Sequence, residues 1–209
     1  MRLFLIRHGQ QSSPLCNVNV ELSEVGRAQA QLLAKRLCNL SPDAIYTSGL
    51  IRAKQTAVIL FGDRPDFLER EALNEISFGD LTGGADKDNA MRFPEYFADK
   101  KKKVDNLKMP GGETPTEVFV RANVVVQEAL ESGAETVVFV THGGVIRSLT
   151  AGLLGLGAEK MLRIADGLEH TSVTELKYSK EAGCFSLERL NDCGHLDGRP
   201  ELTRYAWKK

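Results

Sequence analysis

The sequence predicts an α/β fold: a three-layer α/β/α sandwich around a mostly parallel sheet, with a hairpin at one edge and a small insertion. Three observations carry this. Short apolar runs at 3–6 and 136–140 read as strands buried on both faces, because buried parallel strands show continuous rather than alternating hydrophobicity. Stretches with apolar residues at helical spacing alternate with the strands, as βα units do. A chain of 209 residues, 42% hydrophobic and 26% charged, suits one domain with a packed core and is cramped for two.

The run at 3–6 is too short for a signal-peptide core and no small-residue cleavage site follows, so it reads as the first strand. After a polar loop, Ser23 is a good N-cap and Glu24 sits well near a helix dipole. Ala28, Leu32, Leu33 and Leu37 then recur at helical spacing. Residues 43–47 form a second strand, and Ser48 can cap a helix over about 50–60. Residues 80–115 are polar and rich in Lys, Gly and Pro, with scattered anchors such as Phe93, Tyr96 and Phe97. They are expected to form a partly helical insertion in a single domain, 1–209, lying over one edge of the sheet and above the site described below. Helical periodicity returns over 116–131, with Gly133 placed to end that helix. Gly143-Gly144 follows the strand at 136–140 and leads into a helix near Val145. Residues 170–178 and 185–190, joined by a turn at 181–183, read as an edge hairpin. The last ten residues read as a loose tail.

A net charge of −1 provides no basic field for nucleic acid or an anionic membrane. No stretch approaches the roughly 18 apolar residues of a membrane span. The four cysteines form neither a CxxC pair nor a disulfide framework, which favours a reduced, cytoplasmic compartment. Cys184, Cys193 and His195 match no common zinc spacing, so neither metal nor other cofactor is expected. The sequence leaves the oligomeric state open.

Two histidines follow directly on buried strands: His8 in Arg7-His8-Gly9 and His142 in Thr141-His142-Gly143-Gly144. Ligands of open α/β sheets bind beyond the carboxyl ends of the strands, where strand order reverses. If these strands are neighbours there, the two imidazoles face one pocket. The glycines permit close backbone approach, and the helix after Gly144 offers N–H groups to an anion. Arg7 adjoins His8, and Arg52 projects beyond the strand at 43–47. Guanidinium forks match phosphate oxygens. Together these groups describe a metal-free phosphate site. Phosphoryl transfer there needs a nucleophile, charge neutralisation and a proton donor. Neutral imidazole can attack phosphorus, and Glu75, in a loop between apolar anchors, can donate the proton, its acid form favoured by nearby phosphate charge. Asp80 is the next candidate acid.

The sequence resembles the histidine phosphatase superfamily, the phosphoglycerate-mutase-like family. The resemblance rests on an ordered set of segments: Arg7-His8-Gly9-Gln10, Leu22-Ser23-Glu24-Val25-Gly26-Arg27-Ala28, Ser48-Gly49-Leu50-Ile51-Arg52-Ala53, Leu73-Asn74-Glu75 with Phe78-Gly79, Pro110-Gly111-Gly112-Glu113, and His142-Gly143-Gly144-Val145-Ile146-Arg147. It implies that His8 is phosphorylated, that Glu75 donates the proton, and that Arg7, Arg52 and His142 neutralise the phosphoryl group. It also implies that the Gly143 N–H and the Gln10 side chain line the pocket. Departures are visible. Asp80-Leu81-Thr82-Gly83 replaces an aromatic-Glu-Gly, Gly49 stands where Pro is common, and the family's phosphate-contacting Asn has no clear counterpart, leaving Asn17 or Asn19 as substitutes.

The expectation is therefore a hydrolase of a small phosphorylated metabolite. One rival is a bisphosphoglycerate-dependent mutase, which in this family has a longer, arginine-bearing insertion and Gly-Asn after the second histidine. The other is a non-enzymatic phospho-ligand binder, which would have lost His8 or Glu75. The row Lys100 to Lys103 reads as a solvated helix face.

Overall fold

In the computed structural model, which describes residues 1–63 and 66–204, the chain runs β1 (Arg2–Arg7), α1 (Glu24–Arg36), β2 (Ala44–Thr47), α2 (Ile51–Phe61), β3 (Leu68–Glu69), α3 (Asp86–Arg92), α4 (Pro94–Lys101), α5 (Pro115–Glu131), β4 (Thr136–Thr141), α6 (Gly143–Leu153), α7 (Met161–Ile164), β5 (Val173–Ser179) and β6 (Cys184–Asp192). The strands form one sheet in the order β3-β2-β4-β1-β5-β6. The first four in that order are parallel, and β5 runs antiparallel to β1 and pairs with β6 as the edge hairpin.

Successive side chains of a strand point to opposite faces, and in the two central strands both faces are apolar. Leu3 and Leu5 of β1 join Val137 and Phe139 of β4 against α5 and α6. Phe4 and Ile6 join Val138 and Val140 against Leu33 of α1 and Ala53, Ala57 and Leu60 of α2. The three layers thus follow from runs with no polar alternate. Tyr46 packs edge-on to Phe139 with ring centroids 5.1 Å apart.

One local expectation is met. Ser23 accepts from the Gly26 N–H at the start of α1. Helix α5 opens with a reciprocal capping box of Thr114 and Glu117 and carries Pro115 in its first turn. Others need correction. The buried line of α1 is Gly26, Gln29, Ala30 and Leu33, while Ala28, Leu32 and Leu37 are only half-buried. The helix is turned because Gly26 packs backbone to backbone against the loop after β1. A Cβ on Gly26 would lie 2.1 Å from the Gln10 carbonyl oxygen, and one on Gly9 2.5 Å from that of Gly26. Ser48 is not the N-cap of α2. Leu50 holds that position, and the Ile51 N–H is received instead by Asn19 Oδ1 at 2.9 Å. Helix α6 starts at Gly143, directly after His142, rather than near Val145.

The insertion does not cover a sheet edge. Its Tyr96, Lys100, Leu107 and Met109 line a cavity together with Glu75, Gly143 and Gly144, at the carboxyl ends of the parallel strands. Apolar anchors explain this: Tyr96 and Met109 are buried in the α5/α6 core, where Phe93 and Phe97 also pack. The tail is tied down as far as Arg204, with Leu202 O accepting from Gln29 Nε2 at 2.6 Å and the Arg204 N–H bonding Glu169 Oε1 at 2.9 Å. Its last residues, 205–209, lie outside the described residues. Among the described residues no helix is long and apolar enough to cross a membrane, and no cluster of His, Cys, Asp or Glu could hold a metal ion.

Phe139 is fully buried in the central strand. Truncation of such a residue costs about 3–5 kcal/mol through lost burial and the cavity left behind. Phe139→Ala should lose that much in denaturant unfolding with an unchanged m-value; a loss below about 1 kcal/mol would show that the two layers do not share one cooperative core.

Candidate active site

Parallel pairing aligns the ends of three adjacent strands. Arg7 of β1 stands opposite Thr141 of β4, the His8 N–H donates to Thr141 O at 3.0 Å, and the Ser48 N–H to Val140 O at 3.1 Å. The residues leaving β1, β2 and β4 are therefore side by side: His8, Ser48 and His142. The imidazoles of His8 and His142 lie 4.9 Å apart, centroid to centroid, and both are buried.

His8 is oriented at both nitrogens. Nδ1 lies 2.6 Å from Gly9 O, so it carries the proton and donates, and the lone pair stays on Nε2. Nε2 receives Arg52 Nε at 3.3 Å. Arg52 is 2% exposed and is held by Val18 O at 2.8 Å and Asn17 Oδ1 at 3.4 Å. The two asparagines thus divide their work: Asn17 buttresses Arg52 at the pocket, and Asn19 caps α2. Burial first, then the charges of His142, Arg7 and Arg52, push the His8 pKa well below 6.5. The ring is neutral, which a nucleophile requires.

His142 bonds Ser48 Oγ through Nε2 at 2.7 Å, and its buried Nδ1 has no partner among the described residues. Ser48 Oγ also accepts the Leu50 N–H at 3.1 Å, so its own proton is free for His142 Nε2. That leaves Nδ1–H as a donor within the site. Burial, then Arg52 and Arg7, hold this ring neutral too.

Glu75 sits where two cavities meet. Its Oε1 accepts from the Gly144 N–H at 3.0 Å and the Ile76 N–H at 2.9 Å, which ties it to the first turn of α6. Gly144 is required there: a Cβ would lie 2.5 Å from Glu75 Oε1. The loop bearing Glu75 is held from α5 by Arg121, whose Nη1 donates to Ala72 O at 2.6 Å and Nη2 to Glu75 O at 3.2 Å. Glu113, from the Pro-Gly-Gly-Glu segment, pairs with Arg121 at 2.8 Å and receives the Ser77 N–H at 2.7 Å. Asp80 faces Gly111 and lines neither cavity.

One cavity, of about 460 Å³, is lined by Arg7, His8, Gln10, Asn17, Arg52, Glu75 and His170. The other, of about 200 Å³, adjoins it through Arg7, Glu75, Phe78 and Arg204 and reaches Gly143 and Gly144. Of the residues read from the sequence, Arg7, His8, Gln10, Arg52 and Glu75 meet in the first cavity. Gly143 lies in the second. His142 is fully buried beside His8 and lines neither. Arg7 reaches across to the Leu168 carbonyl.

Two residues of this site escaped the sequence reading. His170 lies just before antiparallel β5, whose amino end meets the carboxyl end of β1, and its ring is 5.9 Å from that of His8. Thr171 beside it has φ +56°, a left-handed conformation rare for a β-branched residue, and bonds His195 Nε2 at 2.8 Å. Burial, then Arg7 and Arg204, push the His170 pKa down to about 2. The other, Arg204, is carried back by the tail. Neither stands beside a sequence signal, because only carboxyl ends of parallel strands mark such sites.

The family profile of the "Histidine phosphatase superfamily (branch 1)" matches residues 3–193. A metal-independent phosphoserine phosphatase of Arabidopsis thaliana is 32% identical over 157 residues, covering 70% of this chain and 66% of that one. A 2,3-bisphosphoglycerate-dependent phosphoglycerate mutase of Methylobacterium sp. (strain 4-46) is 31% identical over 194 residues, covering 86% and 91%. Among solved structures, a mycobacterial glucosyl-3-phosphoglycerate phosphatase in complex with inorganic phosphate superposes with a TM-score of 0.82 at 30% identity, covering 93% of this chain and 98% of that one.

All four histidines have folded pKa values below 6.5: His8 and His142 far below, His170 at about 2, and His195 at about 4, where burial is again the main cause. The unfolded chain therefore binds protons that the folded chain refuses. The stability given by neutral imidazoles is complete above about pH 6.5 and is lost as pH falls, at up to about 1.4 kcal/mol per pH unit per histidine. Denaturant unfolding from pH 7.5 to 5 should show this decline; constant stability across that range would mean that the folded protein takes up protons on these rings as readily as the unfolded chain does.

Proposed function

The chain belongs to branch 1 of the histidine phosphatase superfamily, and on that premise we propose that it is a metal-independent phosphomonoester hydrolase working through phosphorylated His8. The observation that carries this reading is the His8 ring itself, neutral, with Nδ1–H spent on Gly9 O and the Nε2 lone pair turned to Arg52.

Nε2 attacks phosphorus from the side opposite the ester oxygen. The phosphorus–oxygen bond breaks, and the leaving alkoxide takes the proton of the Glu75 carboxyl group. Nδ1–H remains on Gly9 O, which stabilises the cationic phosphoimidazole. Arg7 and Arg52 neutralise the phosphoryl oxygens, and the neutral His142 ring offers its Nδ1–H as a further donor. Glu75, now a carboxylate, takes a proton from water, whose oxygen attacks phosphorus. The phosphorus–nitrogen bond breaks, and phosphate and neutral His8 are restored.

Hydrolysis rather than mutase transfer is supported by the short insertion, α3 and α4, and by Gly143-Gly144 after the second histidine. The substrate is a small phosphorylated metabolite, in keeping with the phosphoserine and glucosyl-3-phosphoglycerate phosphatases among its relatives.

With a ³²P-labelled ester, neutral or alkaline quenching should trap label on an imidazole, and His8→Ala should abolish both label and turnover. Turnover of p-nitrophenyl phosphate should survive exhaustive chelation within a small factor and gain nothing from bisphosphoglycerate. Label on serine, cysteine or aspartate, or activity restored by one metal, would overturn the proposal. Glu75→Gln should slow alkyl phosphates by about 10²–10⁴-fold, the usual worth of general acid catalysis, and p-nitrophenyl phosphate far less. Equal losses for both leaving groups would remove Glu75 from the acid role.

A further inference from the structure

The cavity of about 200 Å³ is a corridor. At one end it shares Arg7, Glu75 and Phe78 with the cavity that holds His8. At the other it shares Lys100, Arg147, Leu162 and Asp166 with an outer cleft. Glu75 stands at the inner junction, so an ester whose phosphoryl group lies at His8 and whose bridging oxygen meets Glu75 extends its alcohol part into this corridor. Drug-sized ligands occupy about 300–1,000 Å³. The space therefore suits an alcohol of a few carbons.

Ile76, Tyr96, Met109 and Met161 supply apolar wall between two charged ends, with Arg7 and Arg204 at the inner junction and Lys100 and Arg147 at the outer end. Arg147 is anchored there by Gly143 O at 3.2 Å and Ala165 O at 3.1 Å. The ammonium of Lys100 lies 5.5 Å over the Phe97 ring and forms no ion pair with a carboxylate among the described residues. Although the residue is exposed, the protein packed around it and then the neighbouring Arg147 push its pKa down, against the pull of Asp86. An anion beside it would relieve that cost. Of the carboxylates that line the corridor beyond Glu75, Asp166 is paired with Lys103 Nζ at 2.9 Å, while Asp86 accepts from Cys16 Sγ at 3.2 Å and is the one carboxylate there that attracts Lys100.

We propose that this corridor is a leaving-group subsite selecting phosphomonoesters of short alcohols that carry a carboxylate, with Lys100 as the residue that reads the carboxylate and Arg147 as its fixed companion. The proposal rests on the hydrolase reading above. It also separates Lys100 from the lysine row, since Lys101 and Lys103 line only the outer cleft.

The test uses two matched pairs of esters. O-phosphoserine differs from O-phosphoethanolamine by its carboxylate, and 3-phosphoglycerate carries a carboxylate where glycerol 3-phosphate carries a hydroxymethyl group. The wild type should favour the carboxylate member of each pair in kcat/KM by about ten- to a hundredfold, the worth of one hydrogen bond between charged groups. Lys100→Met should bring both ratios close to one, mainly through KM, and Lys100→Arg should restore most of the preference. A wild type that hydrolyses all four esters without preference overturns the subsite and leaves the hydrolase standing, as does a preference that survives Lys100→Met. Failure to hydrolyse these esters and p-nitrophenyl phosphate alike overturns the hydrolase reading and this one with it.

Discussion

The parallel pairing of β1 with β4 is the constraint on which the site depends. Arg7 opposite Thr141 sets His8 beside His142, and the same ladder, continued into β2, brings Ser48 against His142. Strand side chains alternate, so a slip of one residue would turn His8 and Arg7 to opposite faces and exchange the two apolar layers. Burial on both faces makes that slip costly, since Leu3, Phe4, Leu5 and Ile6 are each 5% exposed or less. The core that stabilises the sheet therefore also holds the two imidazoles within 5 Å.

Around this pair the protein concentrates positive charge and excludes water, two demands that oppose each other. Arg52 is fully sequestered, yet each of its guanidinium nitrogens has a partner: His8 Nε2, Val18 O and Asn17 Oδ1. Burial first, and then its charge and that of Arg7, hold the imidazoles neutral. A bound phosphate dianion would be met by a cationic, low-dielectric wall already in position, where electrostatic interactions are strongest.

The supports of this wall come from far along the chain. Gln29 of α1 receives the Gln10 N–H through Oε1 and donates to Leu202 O through Nε2, so one buried amide joins the loop after His8 to the tail. Arg121 and Glu113 clamp the loop of Glu75 onto α5. The Pro-Gly-Gly-Glu segment thus positions the carboxylate without lining either cavity. The insertion completes the enclosure through apolar anchors, and its lysines differ in environment: Lys100 lines the corridor, whereas Lys101 and Lys103 line only the outer cleft.

The sequence by itself determined what depends on local pattern. Continuous apolar runs announced doubly buried strands, the Ser23 cap announced α1, and the residues directly after those runs, His8 and His142 with Arg7, were legible as one cluster because a strand's carboxyl end is where such a fold binds ligands. Tertiary structure alone decided what depends on approach between distant segments. The helical pattern of α1 pointed to Ala28, Leu32, Leu33 and Leu37, of which Leu33 is fully buried and Leu37 packs at the core's margin, while the backbone contact of Gly26 with Gln10 added Gln29 and Ala30 to the buried face. Ser48 suited a helix cap, yet the neighbouring strand brought His142 to it. Asn17 and Asn19 were indistinguishable until the loop placed one on Arg52 and the other on α2. His170, Arg204 and Lys100 belong to an antiparallel strand entrance, a tail and an insertion helix, none of which has a periodicity that points at the site. Periodicity records which side of its own element a residue occupies, and the identity of the facing element is set only when the chain packs.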